Sequence, residues 1–284
     1  MSLIKVNELL QHATENRYGV AAINTINYET IRCAILAAEA ERVPVIVQFY
    51  PGFDKYIPLS HIAFMANDLA RKATVPVAVH LDHSATYEIA VSGIRDGFPS
   101  VMVDGSVRPY EENVELTRRV VEAARVFGVD VEAELGHVGA GKNLEDMTNK
   151  DFFTDPAQAK DFVERTGCGS LAIAVGNAHG DYIQKPNLDF DRIREVRKAV
   201  SIPLVLHGCS GIPDDQMQEA VNLGLSKFNI ATEYFAATFD SFKANIEKIA
   251  PGRNGVGMFF GVQEGMVDFV REKIRLLNPN KFSI

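Results

Sequence analysis

Five of the chain's seven histidines, His80, His83, His137, His179 and His207, fall on or just beyond short β-branched runs, with the carboxylates Asp82, Asp104 and Glu134 beside them. Neutral imidazole is a common metal ligand. Three imidazoles brought to one mouth from separate strands would leave a position on a zinc ion open for substrate or water, as a catalytic site requires. The ligands expected are His83, His179 and His207. His137 competes on the same reasoning, because it too follows a run and precedes a glycine. His80 lies inside its run and reads better as a residue that packs or orients a neighbour. Asp104 and Glu134 have two readings, as supports for the histidines or as a second, exchangeable metal position. Asp82 and His83 would point to opposite faces of a regular strand, so the chain is expected to bend or bulge there.

The small residues around His207-Gly208-Cys209-Ser210-Gly211 and Asn229-Ile230-Ala231-Thr232 suggest anion capture, by backbone N–H groups and a helix N-terminus. Gly180, directly after His179, can contribute from a third side. A plain turn before Pro213 would explain one glycine, but less readily the Gly-x-Ser-Gly spacing beside a candidate ligand. The formal charge of −8 argues against nucleic acid, which is bound through basic surface. Any phosphate must therefore be captured locally.

These residues need a scaffold that gathers strand ends. Eight runs read as strands: Gly19–Asn24, Pro44–Phe49, Val75–Leu81, Ser100–Asp104, Val129–Leu135, Ser170–Gly176, Ile202–His207 and Lys227–Ala231. Several are apolar over most of their length, as strands covered on both faces should be. Helical stripes separate them. Ile31, Ala34, Ile35 and Ala38 share one face, as do Leu116, Val120, Ala123, Ala124 and Phe127 before a stop at Gly128, and Asp155-Pro156 is a cap followed by a first-turn proline. The pattern predicts an α/β fold, a (β/α)8 TIM barrel, as a single domain over residues 1–284. A doubly wound sheet would want a glycine fingerprint after its first strand, and Ala22-Ile23-Asn24-Thr25 has none. The three cysteines, Cys33, Cys168 and Cys209, form no CxxC pair, and no apolar run is long enough to span a bilayer. A cytoplasmic protein without a membrane partner is expected.

The segments His80-Leu81-Asp82-His83, Ser100 to Ser106, Val131 to Gly136, Ala178-His179-Gly180, Leu206 to Gly211 and Asn229-Ile230-Ala231-Thr232-Glu233 resemble the class II fructose-bisphosphate and tagatose-bisphosphate aldolases. The resemblance runs from the first strand to the end of the barrel. It implies reversible aldol cleavage of a ketose (bis)phosphate to dihydroxyacetone phosphate and an aldehyde, with tagatose- or fructose-1,6-bisphosphate giving glyceraldehyde 3-phosphate. It further implies that Asp82 donates and accepts the proton at the ketose C4 oxygen, and that His83, His179 and His207 bind catalytic Zn2+. Asp104 and Glu134 match a second divalent position. Asn24, Gly180, Gly208, Cys209, Ser210, Asn229, Ala231 and Thr232 match the substrate-binding set, with Na+ or K+ near the phosphate. A homodimer or homotetramer is also implied.

The sequence departs from the family in several places. The loop Gly139 to Asp146 is longer than Gly-Gly-x-Glu-Asp, and Glu145 takes the place of its mobile acid/base. Tyr50 replaces a small residue, Asn177 replaces a Thr, and Asn-Ile-Ala-Thr-Glu at the last strand is closer to tagatose-type enzymes. Arg253 could hold a distal phosphate across a subunit boundary, or be a solvated loop arginine. Three rival readings remain: a lysine Schiff base, for which Lys227 at the start of the last run and the loop residues Lys142 and Lys185 are poorly placed; a metal-dependent barrel hydrolase, which would want His-x-His at the first strand; and a catalytically dead phosphate-binding scaffold.

Overall fold

The structure is a computed structural model and describes residues 2–284. Eight strands, β1 (Val20–Asn24), β2 (Val45–Phe49), β3 (Val77–Ser84), β4 (Ser100–Val103), β5 (Asp130–Leu135), β6 (Ser170–Ile173), β7 (Leu204–Leu206) and β8 (Leu225–Ile230), pair in parallel and in sequence order, and β8 closes on β1. This is the expected (β/α)8 barrel. The strands are buried along nearly their whole length, because the barrel interior takes one face and a ring of helices takes the other.

The helices are α1 (Val6–Asn16), α2 (Tyr28–Glu41), α3 (Leu59–Lys72), α4 (Tyr87–Arg95), α5 (Tyr110–Phe127), α6 (Leu144–Thr148), α7 (Pro156–Thr166), α8 (Phe190–Ala199), α9 (Asp214–Asn222), α10 (Thr232–Ile249), α11 (Gly257–Phe260) and α12 (Gln263–Leu276). Their boundaries follow from local chemistry. Asn27 and Thr30 form a reciprocal capping box at α2, Asp155 caps α7 ahead of Pro156, and α5 stops at Gly128 in the left-handed conformation. At the floor of the barrel α1 packs Val6, Leu9, Leu10 and Ala13 with Val20, Ala22, Ile46 and Ala78. Chemistry is thereby confined to the opposite, carboxyl-terminal mouth. No helix of the described residues is long and apolar enough to cross a membrane.

Strand limits differ from the sequence expectation where side chains replace ladder bonds. β6 ends at Ile173 instead of Gly176, because Ala174 N–H donates to Thr154 Oγ1 at 2.8 Å and the Ala174 carbonyl accepts from Thr154 N–H at 2.9 Å. β8 begins at Leu225, so Lys227 sits within it and not at its start. β3 runs on to Ser84 through a register shift between Leu81 and Ser84, with His83 at φ +46°. That left-handed residue is the expected bulge, and it turns both Asp82 and His83 toward the mouth.

Candidate functional site

β3, β6 and β7 deliver His83, His179 and His207 to one place, where a ring nitrogen of each lies within 4.8 Å of the others. Each ring is held from behind. His83 Nδ1–H donates to Asp104 Oδ2 (3.1 Å), His179 Nδ1–H to the Val138 carbonyl (3.2 Å) and His207 Nε2–H to Glu132 Oε1 (2.9 Å). These bonds leave His83 Nε2, His179 Nε2 and His207 Nδ1 facing one another, each able to offer a lone pair when it carries no proton. His83 Nε2 and His207 Nδ1 face each other at 2.8 Å, while His179 Nε2 is buried without a partner. Two lone pairs at that distance repel unless a cation or a proton lies between them. The donor set therefore fits a divalent metal with three neutral nitrogen ligands.

The electrostatics favour neutral ligands at two of the three rings. Burial lowers His179 to about 4, and burial together with the charge of His83 pushes His207 well below the usual imidazole range, so both rings are neutral and ready to bind. Burial would depress His83 too, but Asp82, Asp104 and Glu134 outweigh it and raise it to about 9. His83, Asp104 and Glu134 form a second cluster. Burial, and then the charge of Asp104, drive Glu134 well above the normal carboxylate range, and its Oε2 is buried without a partner. A second cation beside Glu134 would relieve both.

Asp82 lies beside the histidines in a cage of amides. Its Oδ2 accepts from Asn24 Nδ2 (3.0 Å) and Gln48 Nε2 (3.2 Å), and its Oδ1 accepts from Asn229 Nδ2 (3.1 Å). Burial opposes its ionisation, but the charges of His83 and Lys227 and the Asn24 bond prevail and lower it. A cavity of about 420 Å³ opens above, lined by Asn24, Asp82, His83, Asp104, His179 and Gly180, by Gly208, Ser210, Asn229, Ala231 and Thr232, and on its outer wall by Tyr50, Phe53, Val107 and Phe235.

The family model for class II fructose-bisphosphate aldolase matches residues 4–281. The chain belongs to the class II fructose-bisphosphate aldolase family. A protein of Escherichia coli (strain K12), YdjI, is 44% identical over 233 residues, 82% of this chain and 84% of that protein. The crystal structure of the YdjI aldolase from E. coli K12 matches with a TM-score of 0.87 at 38% identity, over 97% of each chain. A fructose-bisphosphate aldolase from Campylobacter jejuni matches with a TM-score of 0.85 over 98% of this chain and 96% of that one; at 24% identity it speaks to the fold alone.

Some residues expected in this class II aldolase's site lie elsewhere. Cys209 is buried outside the cavity, its N–H committed to the Asn229 carbonyl at 3.1 Å. Glu145 is exposed on α6 and Arg253 is exposed between α10 and α11; neither lines the cavity. His137 stays outside the metal clusters, 3.6 Å from Asp146 Oδ1. His80 is buried, with Nδ1 2.8 Å from Ser100 Oγ, which suits the orienting role read from the sequence. Asn177, at the Thr position, ties the β6 turn to β7 by accepting from Val175 N–H (2.8 Å) and donating to the His207 carbonyl (3.0 Å).

Three residues beside the site were given no part in it from the sequence: Gln48, Glu132, and Lys227, which was weighed only as a Schiff-base lysine. Lys227 Nζ lies 2.8 Å from Glu132 Oε2 inside the barrel, and both side chains are fully buried. The period of two along a strand would have found two of them, since Glu132 precedes Glu134 and Lys227 precedes Asn229 by two residues on the same face.

Proposed function

We propose that this aldolase is metal-dependent and reversibly cleaves a ketose phosphate, tagatose- or fructose-1,6-bisphosphate, to dihydroxyacetone phosphate and an aldehyde, glyceraldehyde 3-phosphate. The observation that carries the reading is the meeting of three ring nitrogens, of His83, His179 and His207, beside an ionised Asp82 held by three amides. A divalent cation held there, Zn2+ by the nature of its ligands, would supply Lewis-acid polarisation of the ketose C2 carbonyl. Asp104 and Glu134 would hold a second divalent ion or an alternative position for the first.

Asp82 takes the proton of the C4 hydroxyl as the C3–C4 bond breaks, and returns it to the aldehyde oxygen in the reverse direction. Its amide cage aims the carboxylate and keeps solvent from competing for it. The proton on the dihydroxyacetone half falls to Glu145, which reaches the cavity by movement of its loop. One phosphate is held by backbone. Ala231 precedes α10 without a side-chain cap; Glu233 N–H donates to Ser210 Oγ at 3.2 Å, and the other N–H groups of the first turn are left to face an anion beside Gly180 and Gly208, with Na+ or K+ as counter-ion. No Lys or Arg among the described residues lines the cavity. A distal phosphate therefore calls on Arg253 from a second copy of the chain. Exposed Phe239, Val256 and Phe260 near Arg253 in the sequence give a homodimer or homotetramer an apolar surface to bury.

The Schiff-base alternative is weakened by the buried contact of Lys227 with Glu132, which keeps its nitrogen out of the cavity lining. The deciding experiment incubates metal-loaded protein with dihydroxyacetone phosphate and a panel of phosphorylated and unphosphorylated aldehydes, with and without chelator, and resolves the sugars formed. Chelator-sensitive synthesis of a hexulose bisphosphate is expected. Chelator-insensitive synthesis with borohydride-trapped adduct would replace the metal reading by the lysine one.

A further inference from the structure

The three histidines are oriented by three different devices. His179 uses a backbone carbonyl, which carries no charge to balance. His83 uses Asp104, whose side chain is 22% exposed and shares its charge with solvent and Ser106. His207 uses Glu132, which has no exposure at all. A carboxylate so placed needs a charge of opposite sign in direct contact. Lys227 provides it, with Nζ 2.8 Å from Oε2 and 3.0 Å from Oε1, so it grips the same oxygen that accepts from His207 Nε2–H. His80, 3.7 Å away and driven well below the usual range by burial and then by Lys227, is neutral and cannot substitute.

We propose that Lys227 is a positioning residue for the metal site: its buried ammonium balances Glu132, and Glu132 thereby holds His207 with Nδ1 turned toward the cation. This rests on the metal reading above. A lysine that merely filled the barrel would be replaceable by an apolar chain of similar length without effect on metal binding.

The test uses full-length, metal-stripped protein and two readouts, Zn2+ competition against a chromophoric chelator and the visible absorption of bound Co2+. Wild type is compared with K227M, E132Q and E132Q/K227M, with circular dichroism as a check on folding. K227M is expected to bind Zn2+ about 10- to 100-fold more weakly and to shift the Co2+ bands. The double variant is expected to recover most of that affinity, because a neutral amide still accepts from His207 and no charge is left to balance. If K227M fails to fold, a folded, zinc-binding double variant is the expected result. Wild-type affinity in K227M, or a double variant no better than K227M, overturns the pair and leaves the metal reading standing. A wild type that binds neither ion overturns both.

Discussion

Ala140 pairs with His179 in an isolated parallel bridge: Gly141 N–H donates to the His179 carbonyl at 2.7 Å, and His179 N–H donates to the Gly139 carbonyl at 2.8 Å. The loop that carries Glu145 is thus bonded to the backbone of a candidate ligand. Asp146 staples its start, accepting from Ala140 N–H (2.8 Å) and Asn143 Nδ2 (2.9 Å). If Glu145 moves to the cavity as proposed, the Asp146 contacts next to it in the chain are the ones that stand in its way, while the bridge holds His179.

Glu145→Gln separates the loop's chemistry from the metal site. A lost general acid or base commonly costs about 10²- to 10⁴-fold, so turnover is expected to fall by at least about 10²-fold. Zinc content stays unchanged. Steady-state kinetics and metal analysis on one preparation check this, and full turnover would remove Glu145 from the mechanism.

His207→Ala removes a candidate ligand and leaves buried Glu132 and Lys227 without the imidazole between them and the mouth. Loss of a well-aimed oxyanion stabiliser costs about 2.7–4 kcal/mol, or about 10²- to 10³-fold in rate, and loss of the metal costs at least as much. Near-zero turnover with sub-stoichiometric zinc is expected. Normal zinc content would show that His207 is no ligand.

The barrel and most of the mouth were legible in the sequence, because a strand covered on both faces reads as an unbroken apolar run and a strand end is marked by the first polar residue after it. Asn24, Asp82, His83, His207 and Asn229 stand in the last residues of their strands or directly after them, whereas His179 lies six residues beyond the end of β6 and was found by its place before Gly180. Glu132, Lys227 and Gln48 were not legible in this way. They are polar residues inside strands, and only their pairing across the barrel, from β5 to β7 and β8 and from β2 to β1 and β3, makes their burial tolerable. Glu145 was placed by resemblance in a loop longer than the family's, and Arg253 was read either as a holder of a distal phosphate or as a solvated loop arginine. Cys209 was named with its glycine neighbours, but the β7 turn spends its N–H on Asn229.

Asp82→Asn tests proton transfer with little change of shape. The cage of Asn24, Gln48 and Asn229 is built from donors to a carboxylate, so one amide of the cage must rotate to accommodate the new side chain. Aldol cleavage is expected to fall by about 10²-fold or more, with zinc affinity within a few-fold of wild type. Loss of zinc in parallel with loss of activity would make Asp82 a support of the metal site and not its acid/base.

Metal affinity should depend on pH through one histidine. In the metal-free protein His83 is raised to about 9, so below that pH a proton must leave before its nitrogen can bind. His179, lowered to about 4, and His207, lowered well below the usual imidazole range, are already neutral at pH 6 and add no slope. Apparent Zn2+ affinity is therefore expected to rise about tenfold per pH unit from pH 6 toward about 9 and then level off. Chelator competition across that range, corrected for the chelator's own protonation, measures the slope. A slope near three would show that all three rings hold protons.

Gly208→Ala and Gly180→Ala distinguish close approach from backbone conformation. Both glycines have positive φ, +65° and +81°, where a side chain is strained whatever the space. At Gly180 an added Cβ meets nothing within 4 Å, so only the conformational cost applies, about 1–2 kcal/mol. At Gly208 the Cβ would stand 1.9 Å from the Ala178 carbonyl oxygen, which forces β7's turn away from the segment that leads into His179. G208A is expected to lower stability by more than G180A in denaturant unfolding, and to weaken zinc binding as well, because His179 moves with Ala178. Equal losses in the two variants, with zinc binding intact in both, would mean that the turn yields without disturbing the histidine.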